Sequence, residues 1–180
     1  MNHKLVSLIK EVAGRHDLPP ELVQAVVQVE SAGQACAWNP EPHYRYLVDC
    51  RTGKPFRKLT REEQRSKIPP EDFPCLGGDR DQEWWAQQAS WGLMQVMGAV
   101  ARERGFVGPY LPELCNPEVG LEYGCRHLAM FTRRFYSRFG WAAVCAAYNG
   151  GSGAVRGKDE FLNPEYPAKV LCVLGGNWPA

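Results

Sequence analysis

No apolar run in this sequence approaches the roughly 18–20 residues needed to cross a bilayer, which excludes an integral helical membrane protein. Neither sign of charge dominates. The 21 Lys and Arg face 20 Asp and Glu, leaving +1 and a pI near 7.6, whereas a dedicated nucleic-acid binder carries a marked basic excess. The seven cysteines include no C-x-x-C pair, and the four histidines have no metal-ligand spacing, so a zinc site of the usual pattern is not expected. The first residues, Met1-Asn2-His3-Lys4-Leu5, do not open a secretory apolar segment, because Ser7, Lys10 and Glu11 interrupt it. Synthesis in a reducing cytosol with mostly free thiols is the expectation. There is no internal repeat, no low-complexity tract and no sustained period-two alternation.

What is present is a chain of 180 residues, 44% hydrophobic, with 20 aromatics of which six are Trp. That composition excludes global disorder, and the length suits one domain, or one domain carrying an insertion. Helical spacing dominates both ends. Leu5, Leu8, Ile9 and Val12 predict a first helix ending near Gly14, and Pro19-Pro20 open a second over about Glu21 to Ser31. Further helices are predicted from Trp91 to about Arg104, from Pro117 to Phe139 with a stop at Gly140, from Trp141 to Tyr148, and from Pro164 to Leu174. A mainly α fold follows.

The stretch from about 36 to 89 breaks this pattern with six prolines, a Gly77-Gly78 pair and dense charge. It reads as an inserted subdomain within a single domain of residues 1–180. Its one helical candidate is Thr60 to Ser66, where Thr60 and Glu63 suit a capping box. A long irregular segment in a compact domain is commonly functional or wraps another surface.

Glu30 is the most informative position. It closes a helix whose Val23 and Val27 lie seven and three residues earlier, so its carboxyl sits over the apolar face. Apolar surroundings disfavour the charged form and raise the pKa, which a general acid at neutral pH requires. A solvated Glu at a helix end, or one paired with an Arg, is the alternative from position alone.

Three further motifs follow in order: Glu30-Ser31, Gly92-Leu93-Met94-Gln95 and Ala147-Tyr148-Asn149-Gly150-Gly151, with Tyr166 ahead of a last apolar helix. Together they resemble the lytic transglycosylase family with a goose-type lysozyme-like (SLT) domain, over positions 20 to 175 apart from the middle segment. The resemblance implies a mainly α, lysozyme-like single domain with a long irregular insertion. It implies peptidoglycan as substrate, cleavage between N-acetylmuramic acid and N-acetylglucosamine, and 1,6-anhydro product formation with Glu30 as the one acid/base. No cofactor or metal is implied. Substrate-contacting positions carried over by motif are Ser31, Met94, Gln95, Tyr148, Asn149 and Tyr166, with Tyr166 bonding the catalytic carboxyl. The residues alone leave alternatives: Ser31 as a helix-end backbone partner, Met94 as core, Gln95 as surface, Tyr148 as core, Asn149 as a cap, Tyr166 as surface.

The sequence departs from the compact family pattern in the 60 residues between Ser31 and Gly92. There, Asn39-Pro40-Glu41-Pro42-His43-Tyr44 is similar to a stretch of phage-encoded transglycosylase-like lysins. With the interrupted N-terminal segment, this implies a phage or prophage lysin, an endolysin in preference to a virion-associated enzyme, monomeric, with holin-dependent release, made in the host cytoplasm and acting on periplasmic peptidoglycan. Trp38, Trp84, Trp85 and Trp91 would wall a glycan groove or form a satellite core. Asp79, Asp81 and Glu83 are candidates for a second carboxylate, which would make the enzyme a muramidase hydrolase. A non-catalytic glycan-binding or baseplate component is the remaining alternative. Arg126, Arg133, Arg134 and Arg138 would meet an anionic envelope or simply form a solvated helix face.

Overall fold

The first helix, α1 (His3–Arg15), starts where the Asn2 side chain accepts the Leu5 N–H at 2.9 Å, and buries Ile9, Val12 and Ala13. A left-handed Asp17 turns the chain into α2 (Pro20–Ser31), whose prolines satisfy the first-turn geometry. Left-handed Ala32 and Gly33 end it. The computed structural model describes residues 1–180 and divides into two compact units, residues 1–33 with 124–180, and residues 34–123.

In the first unit α2 packs against α1 on one side and against α6 (Glu165–Val173) on another. The long α5 (Pro117–Gly150) supplies Leu128, Phe131, Val144 and Cys145 to the buried set. It breaks at Gly140 (φ 71°, ψ −173°), where the sequence places a stop. No atom lies near enough to bar a side chain at Gly140, so it is the backbone angle that calls for glycine.

The second unit is less regular but has its own core. Strands β1 (Trp38–Pro40), β4 (Ala89–Trp91) and β5 (Val96–Met97) form an antiparallel sheet in the order β1-β4-β5. Strands β2 (Val48–Asp49) and β3 (Lys54–Pro55) pair separately, and α3 (Arg80–Gln87) and α4 (Gly98–Glu103) complete the unit. Leu47, Leu59, Phe73 and Trp84 cluster, with Phe73 edge-on to Trp84 at 5.0 Å between ring centres. A buried Glu83–Arg102 pair, both side chains at most 1% exposed, joins α3 to α4 by two bonds of 2.9 and 2.6 Å. Arg102 also donates to the Phe106 and Gly108 carbonyls at 2.8 Å. Gln87 donates to Glu83 and brackets Val48, donating to its carbonyl and accepting its N–H, each at 2.8 Å. Every strong group in this network has a partner, the condition under which buried charge is tolerated.

The structure departs from the sequence expectations at three places. Residues 91–104 are not one helix. Gly92 (φ 72°) and Gln95 (φ 47°) are left-handed, so a turn joins β4 to β5 and only 98–103 is helical. Thr60–Ser66 forms turns rather than a helix. Its reciprocal Thr60–Glu63 bonds do form, at 2.7 and 3.2 Å, but the Glu63 carboxylate is also held by Arg57, and Pro69-Pro70 follow closely. A single turn this short does not offset the cost of helix nucleation. The helix α3, absent from the sequence reading, is capped by Asp79, whose carboxylate accepts the Asp81 and Gln82 N–H groups.

Candidate active site

Glu30 stands in the last turn of α2 and Tyr166 in the first turn of α6, the two helices that pack together in the first unit. The Tyr166 hydroxyl donates to Glu30 Oε1 at 2.5 Å. Burial pushes the Glu30 carboxyl up from the ordinary range to about 7, against the opposing Tyr166 hydrogen bond and the positive charge of Lys169. The phenols respond in kind. Burial, then the Glu30 charge, hold Tyr148 and Tyr166 well above their usual range, so both remain neutral donors. A half-protonated carboxyl at neutral pH, gripped by a neutral phenol, can give and take one proton.

The remaining candidate positions of this unit are held as follows. Tyr148 is buried, with its ring 5.4 Å from that of His127. Asn149 is exposed at the end of α5, its Oδ1 accepting from Asn163 Nδ2 at 2.7 Å. Asn163 also donates to the Ala146 carbonyl and so fixes the helix end; sequence reasoning did not single it out, because an Asn before Pro reads as an ordinary turn residue. Ser31 donates to the Val27 carbonyl at 3.1 Å and accepts the Gly33 N–H, the backbone role noted as its alternative.

Met94 and Gln95 belong to the second unit. Met94 is fully buried and Leu93 nearly so. Gln95 holds its own turn: Nε2 donates to the Ala37 and Gly92 carbonyls at 3.0 Å, and Oε1 accepts from Ser90 Oγ at 3.0 Å. Gly92 is required twice over, since a Cβ there would lie 2.3 Å from the Leu114 carbonyl oxygen on a left-handed backbone. The motif therefore builds a turn that a larger or right-handed residue would destroy.

The tryptophans differ in exposure. Trp84 is core, at 1% exposed. Trp38 and Trp85 are 58% and 42% exposed, and with Trp91, Pro40, Pro42 and Pro112 they line a groove of about 390 Å³. Trp38 and Trp91 lie nearly parallel, 5.9 Å apart at 20°, and the Trp91 Nε1–H is fixed on the Ala86 carbonyl. Of the candidate second carboxylates, Asp79 caps α3, Glu83 is consumed by Arg102, and Asp81 is exposed in the first turn of α3.

A mainly helical, lysozyme-like fold carrying a partly buried carboxyl of raised pKa defines the class of protein. The Transglycosylase SLT domain profile matches residues 7–161, and the chain belongs to that family. Among solved structures, an inactive glutamate-to-glutamine mutant of the lytic transglycosylase Slt from Pseudomonas aeruginosa shares the fold, with a TM-score of 0.59 at 18% identity. The match covers 99% of this chain and 25% of that one, so the chain spans about a quarter of its length. No curated protein matches the chain.

Proposed function

We propose that the protein is a peptidoglycan lytic transglycosylase. It cleaves the β-1,4 bond between N-acetylmuramic acid and N-acetylglucosamine, forms the 1,6-anhydro product, and serves cell-wall lysis. The observation that carries this reading is the Glu30 carboxyl, raised to about 7 and bonded to Tyr166. Protonated, Glu30 gives its proton to the glycosidic oxygen as the bond to C1 breaks, and the substrate's acetamido group stabilises the cationic centre. As carboxylate, Glu30 then removes the proton of the C6 hydroxyl, whose oxygen closes on C1. One carboxyl suffices and no water is consumed, in keeping with the substrate-assisted exceptions to the two-carboxylate scheme. Family membership supports this scheme, as does the engagement of Asp79 and Glu83 elsewhere.

In this reading Tyr166 sets the protonation of Glu30, Tyr148 walls the corner, and Asn149, steadied by Asn163, meets the sugar. Ser31, Met94 and Gln95 act through the backbone shapes they hold. Residues 36–89 are the inserted part of the second unit, and the Trp38–Trp85–Trp91 groove receives glycan, indole faces suiting the C–H faces of pyranose rings. The endolysin setting, with holin-dependent release and a monomeric enzyme reaching periplasmic peptidoglycan, is part of the same proposal. No helix is long and apolar enough to cross a membrane.

The test is clearing of purified sacculi. Loss of turbidity with release of soluble muropeptides is expected, whereas binding without release would leave only the glycan-binding alternative. Two variants refine it. The Tyr166 bond favours the carboxylate, so Tyr166→Phe is expected to raise the Glu30 pKa further. The alkaline limb of the kcat/KM–pH profile, near 7 in the wild type, then moves to higher pH while the maximum falls. Trp38→Ala is expected to weaken substrate binding roughly tenfold, an indole-contact energy of about 1.4 kcal/mol, with little change in kcat.

A further inference from the structure

We propose that Cys36 and Cys115 form a redox site, a thiol pair poised to close into an intrachain disulfide when the chain meets a disulfide donor. The backbone brings them together from distant parts of the second unit. The Gly92 N–H donates to the Ala37 carbonyl at 2.7 Å. The space a Cβ on Gly92 would take is bounded by the Leu114 carbonyl oxygen at 2.3 Å and the Ala35 carbonyl oxygen at 3.6 Å. Segments 35–37 and 114–115 therefore converge on one glycine, and the Cys36 and Cys115 side chains lie within hydrogen-bonding reach of each other.

Accessibility separates this pair from the buried thiols, and the side-chain hydrogen bond between its members separates it from Cys75 and Cys172, which are also accessible. Cys36 is exposed and Cys115 partly so, whereas Cys50, Cys125 and Cys145 are buried. Burial pushes Cys50 up to about 11 and Cys145 up to about 12, which leaves them as inert thiols. Burial and the neighbouring Cys36 hold Cys115 above the ordinary thiol range, so the exposed Cys36 is the sulfur that reacts first.

The chemistry is thiol–disulfide exchange. The Cys36 thiolate attacks a donor disulfide, the donor S–S bond breaks, and one donor thiol leaves. The Cys115 thiolate then attacks the Cys36 sulfur of the mixed disulfide and expels the second donor thiol. The two cysteines lose two electrons and two protons; the donor disulfide gains them as two thiols.

The bond would have a structural consequence. Cys36 lies two residues before Trp38, and Cys115 ends the 3₁₀ turn Leu111–Cys115 that contains Pro112; Trp38 and Pro112 both line the groove. Oxidation thus ties together two segments of chain that both contribute to that lining. The inference rests on the proposed function for its setting alone, since peptidoglycan lies outside the reducing cytosol, in surroundings where disulfides persist.

The test uses the full chain, reduced and then incubated with oxidised glutathione, with peptides mapped by mass spectrometry without reduction. A linked pair of peptides containing Cys36 and Cys115 is expected. The oxidised protein should melt about 10–15 °C above the reduced one, as a bridge closing a loop of this length predicts. Cys36→Ser and Cys115→Ser should each lack both the linked peptide and the shift. Stable glutathionylation of Cys36, bridges only among other cysteines, or an intermolecular dimer in place of the 36–115 link would overturn the proposal. None of these readouts needs activity, so failure to clear sacculi would leave this result standing.

Discussion

Glu30→Gln lowers turnover on peptidoglycan by on the order of 10³-fold or more, because one group serves as acid in the first step and as base in the second. The swap is nearly isosteric, and the Tyr166 hydroxyl that now donates to Glu30 Oε1 can donate to the amide oxygen instead. A structural role for Glu30 would predict loss of folding together with loss of activity. The opposite is expected. In the folded protein Glu30 keeps its proton up to about pH 7, whereas unfolded it releases it near the model-peptide value of 4.5. Between these values the native state binds more protons, so stability falls as pH rises. The wild type therefore carries a penalty of about 3 kcal/mol at pH 8 that is absent well below pH 4.5. Glu30→Gln relieves that penalty. Chemical denaturation at pH 4 and pH 8 reads it directly: the variant should gain on the wild type only at the higher pH. Equal gains at both values would show that the carboxyl is not held in its raised-pKa state.

The second large effect concerns stability alone. Arg102→Met removes the guanidinium that meets both oxygens of Glu83 and the carbonyls of Phe106 and Gly108. Glu83 is then a buried carboxylate left with Gln87 as its side-chain partner. Breaking one side of such a pair costs about 3–5 kcal/mol, much of it the penalty of the stranded charge. Adding Glu83→Leu to Arg102→Met should recover much of the loss, because the charge is removed along with its partner. A thermal melt of the three variants tests this, and an Arg102→Met protein as stable as wild type would contradict the assigned network.

How far the sequence discloses this molecule depends on the range of the interactions involved. The helices α1, α2 and α6 and the break at Gly140 are legible because apolar spacing, prolines and a glycine act within a few residues. The turn at 92–95 is not, since Gly-Leu-Met-Gln reads as helical until Gly92 and Gln95 are seen to be left-handed. What forbids a side chain at Gly92 is the Leu114 carbonyl, 22 residues away. Among the candidate site residues, the structure joins Glu30 to Tyr166 across 136 positions, a meeting that the order of motifs makes expected and that spacing alone does not. Ser31 and Gln95 illustrate the converse. A motif marks the residue but not which of its atoms the backbone has already taken. Glu83 looks like any charge in a charged segment, and only the fold reveals Arg102 beside it.

The central claim is that Glu30 works alone and that the C6 hydroxyl, not water, closes the reaction. Digestion of sacculi in ¹⁸O-labelled water, followed by mass spectrometry of the released muropeptides, tests it most directly. Anhydro-ended products with no solvent oxygen are predicted. Reducing ends carrying ¹⁸O would contradict the account and establish a hydrolase.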